Sequence, residues 1–104
     1  MAVAVVLDFK GGTLAQYDEV VDRMGLHDSS DMPGGGLSHF ALATDDGIRI
    51  VDLWETREQF EQFAQEQIGP ITQAVGVPGP PEVRFYDVHN WMVHEAAAIG
   101  SPPA

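Results

Sequence analysis

Between residues 36 and 55, GLSHFALATDDGIRIVDLWE, side chains alternate along two runs that meet at Asp46-Gly47. A period of two marks strands, and Asp-Gly is the dipeptide favoured by two-residue hairpin turns. A turn there sets Ala43 opposite Ile50, Ala41 opposite Asp52 and His39 opposite Trp54; a three-residue turn would bring Phe40 opposite Asp52 instead. Alternation divides the hairpin into two faces. Phe40, Leu42, Val51 and Leu53 form an ordinary core surface. His39, Ala41, Ala43, Ile48, Ile50, Asp52 and Trp54 form a roomier face that carries polar chemistry.

The same patterning predicts the other elements. Residues 3–9 alternate as a strand, with Val3, Val5 and Leu7 on one side and Ala4, Val6 and Asp8 on the other. Thr13 and Gln16 form a capping-box pattern ahead of a helical stripe of Leu14, Tyr17, Val20, Val21 and Met24, which Gly25 should stop. Residues 27–35, HDSSDMPGG, read as a mobile loop. Thr56 and Gln59 repeat the capping pattern at the head of a helix over 57–75, which Gly69-Pro70 should break or kink near Ile68. Residues 82–92 read as a last strand and 94–104 as a flexible tail.

The order βαββαβ defines an α+β, ferredoxin-like domain over residues 1–93, one antiparallel sheet with both helices on one face. The helices are expected over Val5, Leu7, Phe40, Leu42, Val51 and Leu53. Val6, Asp8, His39, Ile50, Asp52, Trp54 and His89 then fall on the open face, near Trp91. Such large apolar groups do not stay wet, so a second copy of the sheet is expected to cover them, giving a homodimer with a pocket between the sheets.

Charge narrows the partners. Sixteen acidic against five basic residues give a formal net charge of −11, which argues against nucleic acid and anionic membranes. The absence of cysteine excludes disulfides and thiolate chemistry. No apolar run reaches the roughly 20 residues of a membrane span, and the start, MAVAVVLDF, lacks a basic leader. A cytoplasmic protein is expected.

The chemistry centres on His39 and Asp52, which share a face within reach of one another. A carboxylate beside an imidazole orients the ring for general-base work; the same pair also serves as a structural polar contact in an interface. Trp54 would wall a pocket for a flat ligand. Ile50, Ala41, His89 and Asp8 complete the expected substrate-binding set. Two histidines and a carboxylate (His39, His89, Asp52) are a ligand set for zinc or non-haem iron, but no short ligand spacing accompanies them, and no metal is assigned.

The element order, the run VDLWETREQFEQF from the third strand into the second helix, and the aromatic last strand FYDVHNWM resemble the dimeric α/β-barrel superfamily. Over about residues 2–93 the chain is most similar to its antibiotic-biosynthesis monooxygenase-like branch. The resemblance implies a homodimeric barrel and, among its relatives, cofactor-independent quinone-forming monooxygenases, polyketide cyclases, haem-degrading oxygenases and proteins that only bind. Haem-degrading relatives use a strand-one asparagine, the strand-three tryptophan and a histidine on the second helix. Here Asp8 lies near the first, Trp54 matches the second, and residues 57–75 contain no histidine. The expectation is a cofactor-independent enzyme for a small aromatic or polyketide-like ligand. A non-catalytic homodimeric binding module and a haem-binding protein are the alternatives.

Overall fold

The β-branched run near the N-terminus forms strand β1 (Val3–Lys10), the first of four strands in this computed structural model, which describes residues 1–94. After it come helix α1 (Leu14–Met24), strands β2 (Gly36–Thr44) and β3 (Gly47–Trp54), helices α2 (Arg57–Phe63) and α3 (Gly69–Val75), and strand β4 (Glu82–Asp87). The strands pair antiparallel in the order β2-β3-β1-β4. This is the expected α+β, ferredoxin-like arrangement. The last strand is shorter than expected. Beyond Asp87, residues 88–93 turn across the sheet, where Trp91 and Met92 line a cavity of about 250 Å3 with Ala4, Phe40, Val51 and Leu53. The expected flexible tail lies, from residue 95 onward, outside the described residues.

The hairpin turn sits one residue earlier than Asp46-Gly47. Thr44 pairs with Gly47, leaving Asp45 and Asp46 as the loop, and among the described residues none other than glycine has a positive φ. The glycine is needed for a different reason. A Cβ at Gly47 would lie 2.1 Å from the Phe9 carbonyl oxygen, because β1 passes directly against the hairpin end and the Gly11 amide donates to the Asp46 carbonyl at 2.6 Å. The shift moves each partner by two residues, so the division of side chains between faces survives. Its consequence is that His39 stands directly opposite Asp52.

The assignment of those faces to helix and solvent is corrected. β1 pairs with β3 so that Val5 meets Asp52 and Leu7 meets Ile50, and paired residues point to the same side. The helices therefore cover Val3, Val5, Leu7, Phe9, Ile48, Ile50, Asp52 and Trp54, all buried. Phe40 and Leu42, expected in the core, are 58% and 45% exposed on the open face. Val20 and Phe60 close the core from the helices.

Both capping signals start helices. At Thr13 the box is complete, with Gln16 N–H donating to Thr13 Oγ1 at 3.1 Å and Thr13 N–H to Gln16 Oε1 at 3.0 Å. At Thr56 only the forward bond to Gln59 N–H forms. The segment after α2 does not break at Gly69-Pro70. It widens into a π turn (Ala64–Ile68), with Gly69 N–H donating to the Ala64 carbonyl, which accommodates a proline that has no N–H to donate. The polar stretch 27–35 contains a 3-10 turn (Ser29–Asp31) capped by Asp28.

Replacing Gly47 by Ala should cost roughly 2–3 kcal/mol, since the carbonyl it meets belongs to the central strand. Gly34→Ala, where a Cβ meets nothing within 4 Å, should stay within about 0.5 kcal/mol. Urea denaturation of the two variants checks the contrast.

Candidate functional site

Three elements bring polar side chains together at one end of the helix-covered face. β3 supplies Asp52, only 7% exposed. β2, the edge strand, supplies His39 directly across the ladder. α1 supplies Tyr17, one turn in from a helix start held by the complete capping box. Gln16, next to it, donates its side-chain amide to the Gly76 carbonyl at 3.2 Å and ties α1 to the end of α3.

The contacts run in one line. Tyr17 Oη lies 2.5 Å from His39 Nε2. His39 Nδ1 lies 2.7 Å from Asp52 Oδ1. The other carboxylate oxygen, Oδ2, accepts from Trp54 Nε1–H at 3.2 Å. The Tyr17 and His39 rings are nearly parallel, 10° apart, with centroids separated by 5.9 Å. The His39 side chain keeps 34% of its surface accessible, against 8% for Asp52, so the line runs from a buried anchor toward solvent. Burial, reinforced by the charges of Asp52 and Asp18, pushes the Tyr17 hydroxyl up to about 12.

Trp54 belongs to this site from below. It is 2% exposed, with Phe60 edge-on at 5.7 Å and Phe63 at 5.3 Å. Its ring was expected to wall a pocket for a flat ligand. The two phenylalanines occupy that space, and what Trp54 offers the site is its N–H. Ile50 is buried in the same layer. Ala41 and Ala43 continue the face of His39 along β2 and are exposed, an uncovered strip of small residues beside the histidine.

The remaining expected residues lie elsewhere. Asp8 is on the open face, where Arg49 Nε and a terminal guanidinium nitrogen contact its two oxygens at 2.6 and 3.2 Å; this hydrogen-bonded guanidinium holds the Asp8 carboxyl below its ordinary value. His89 is exposed beyond the end of β4, at the opposite edge of the sheet from β2. Among the described residues no group of three His, Cys, Asp or Glu side chains converges to hold a metal ion. Haem fits poorly at His39, because both ring nitrogens already have partners. A cavity of about 350 Å3 lies between Met1, Thr56, Arg57 and Phe85 at the head of α2, away from His39. Tyr17 is not singled out by the sequence because it reads as one member of an apolar helical stripe. The available signal was its hydroxyl, which needs a partner wherever the ring is buried.

The same α+β, ferredoxin-like fold is found in solved structures that include antibiotic-biosynthesis monooxygenase-like proteins, the branch that the sequence resembles. No protein-family model matches the chain, and no curated protein sequence matches it. Among solved structures, SnoaB, a cofactor-independent oxygenase from Streptomyces nogalater, is 18% identical with a TM-score of 0.57, covering 89% of this chain and 97% of that one. A monooxygenase from the gene ActVA-Orf6 of Streptomyces coelicolor, solved with nanaomycin D, is 20% identical with a TM-score of 0.54, covering 90% and 92%. A protein of unknown function from Nitrosomonas europaea is 18% identical with a TM-score of 0.62, covering 89% and 92%. At these identities the likeness is one of fold.

The raised Tyr17 hydroxyl links the site to stability. The unfolded chain ionises a tyrosine near pH 10, whereas the folded chain resists until about 12. Stability from this group should be intact below about pH 10 and fall as pH rises toward 12. Urea melts from pH 9 to 12 should show that fall, and Tyr17→Phe should remove the part of it that Tyr17 causes.

Proposed function

We propose that the chain is a cytoplasmic, homodimeric small-molecule enzyme of the monooxygenase-like barrel type. It acts on a flat aromatic or polyketide-like molecule without a cofactor. The observation that carries this reading is the His39–Asp52 pair at 2.7 Å, with Trp54 holding the second carboxylate oxygen. An imidazole so anchored is oriented to take up a proton, and the carboxylate stabilises the imidazolium that results. The oxygenase and monooxygenase of the same fold support the general type. Among the described residues no helix is long and apolar enough to cross a membrane.

A substrate with an acidic CH2 group beside a carbonyl suits such a site. Loss of one proton gives a carbanion whose electrons spread into the ring system. With O2 the carbon is oxidised, a peroxide forms on it, and collapse to a ketone releases water; both atoms of O2 and both hydrogens of the CH2 are then accounted for. With a second carbonyl in reach, the carbanion closes a ring instead. Approach from the β2 edge, over Ala41, is the route on which the polar line and open surface coincide.

The homodimer is supported by the open sheet face. Phe40, Leu42, Tyr86, Trp91 and Met92 are all exposed large apolar groups, and those on β2 and β4 project from the side the helices leave bare. The site lies on the opposite side of the sheet from that surface, so the expected pocket between two sheets gives way to one site per subunit.

His39→Ala should lower turnover of an anthrone or polyphenol by about 100-fold or more while leaving binding, read by fluorescence or calorimetry, within a few fold. Loss of affinity with no turnover in the parent protein would identify a binding module. Light scattering should give twice the chain mass, and Phe40→Asp with Leu42→Asp should halve it.

A further inference from the structure

The two ring nitrogens of His39 are both engaged, and the far end of the line sets the direction of each bond. Trp54 Nε1–H can only donate, and it points at Asp52 Oδ2. With Asp52 ionised, its carboxylate is an acceptor on both oxygens, and the hydrogen between Asp52 Oδ1 and His39 sits on Nδ1. A neutral imidazole protonated at Nδ1 carries its lone pair at Nε2, and the group in front of that lone pair is the Tyr17 hydroxyl at 2.5 Å.

We infer that Tyr17 is the residue that meets the substrate, its hydroxyl forming the outer end of a Tyr17–His39–Asp52 proton relay whose direction Trp54 fixes. This rests on the enzymatic reading and names its contact group. In the forward step the O–H bond of Tyr17 breaks toward His39 Nε2 as Tyr17 Oη forms a new bond to the substrate's proton. The substrate keeps the electron pair, His39 becomes an imidazolium, and Asp52 balances it. The proton returns by the reverse path when product oxygen or carbon needs one. No electron leaves the relay, and the only net change is one proton moved from substrate to imidazole.

Several features support a relay over a static contact. Burial and the neighbouring carboxylates Asp52 and Asp18 disfavour a standing phenolate, which suits a hydroxyl that gives and takes a proton in one step. The Tyr17 backbone is set by its N–H bond to the Thr13 carbonyl at 3.0 Å, within the turn that the capping box holds. The outer half of the line lies at His39, whose side chain is 34% exposed, whereas the inner end is closed by Trp54, Phe60 and Phe63.

The test uses the full chain and three probes: an anthrone with O2 uptake as readout, a naphthol, and a short poly-β-ketone monitored by absorbance. Tyr17→Phe should keep its melting temperature within a few degrees. Its kcat on any accepted probe should fall by about 100-fold, with KM changed less than threefold. The proton inventory of kcat in H2O–D2O mixtures should be bowed in the parent, as two protons in flight require, and linear in the variant. Nitrogen-15 shifts should report the Nδ1–H form of His39. A variant with unchanged or increased kcat would overturn the inference and make His39 the contact base with Tyr17 as a mere cap. A parent inert toward all three probes would overturn the enzymatic reading itself, whatever the variant does.

Discussion

The pairing of β1 with β3 decides almost everything else in this molecule. By placing Val5 against Asp52 and Leu7 against Ile50, it commits one face of the central strands to the helices and the other to whatever lies outside. A slip of one residue would turn every side chain of β3 over, burying Arg49 and Val51 and exposing Trp54. The register is pinned at the hairpin end, where only glycine fits between β3 and the Phe9 carbonyl. Steric exclusion at one backbone position thus selects the chemistry of a whole face.

An ionisable group in that layer is costly unless its polar atoms are hydrogen-bonded. Asp52 meets the requirement with one donor per oxygen, and among the described residues no buried side-chain nitrogen or oxygen lacks a partner. The donors differ in kind. Trp54 is fixed in the core by two phenylalanines, whereas His39 stands on an edge strand with a third of its surface open. The aspartate therefore has a rigid side and an adjustable side. That asymmetry is what a proton-handling group needs, since the carboxylate must hold position while its other partner changes charge.

Much of this was legible in the sequence. Two capping boxes, the strand periods and the Gly-Pro step marked the element order, and the shared face of residues 39 and 52 was already implied by alternation on either side of the turn. The difference in register did no harm to that grouping, because a displacement by two keeps parity. What the pattern did not determine was which face the helices would choose. Phe40, Leu42, Val51 and Leu53 are as apolar as Ile48, Ile50 and Trp54, so the hairpin by itself is ambiguous. The tie is broken by β1, whose alignment with β3 is a long-range contact that no local period encodes. Tyr17 was hidden for a related reason: a hydroxyl at the tip of an apolar stripe declares itself only when its partner, 22 residues further along the chain, is in view.

The π turn at Ala64–Ile68 sets the rotational phase of α3. A π turn is an α-helix carrying one residue more than its hydrogen-bond pattern needs, so the chain beyond it is turned by about 100° relative to an uninterrupted helix. The Gly76 carbonyl that receives Gln16 lies beyond that point. Shortening the turn by one residue would make the helix more regular and aim that carbonyl away from its partner. Through Gln16 the error would reach the helix that carries the tyrosine. The extra residue is therefore a phase-setting insertion, and the helix is kept irregular so that the ends of α1 and α3 stay in register with each other.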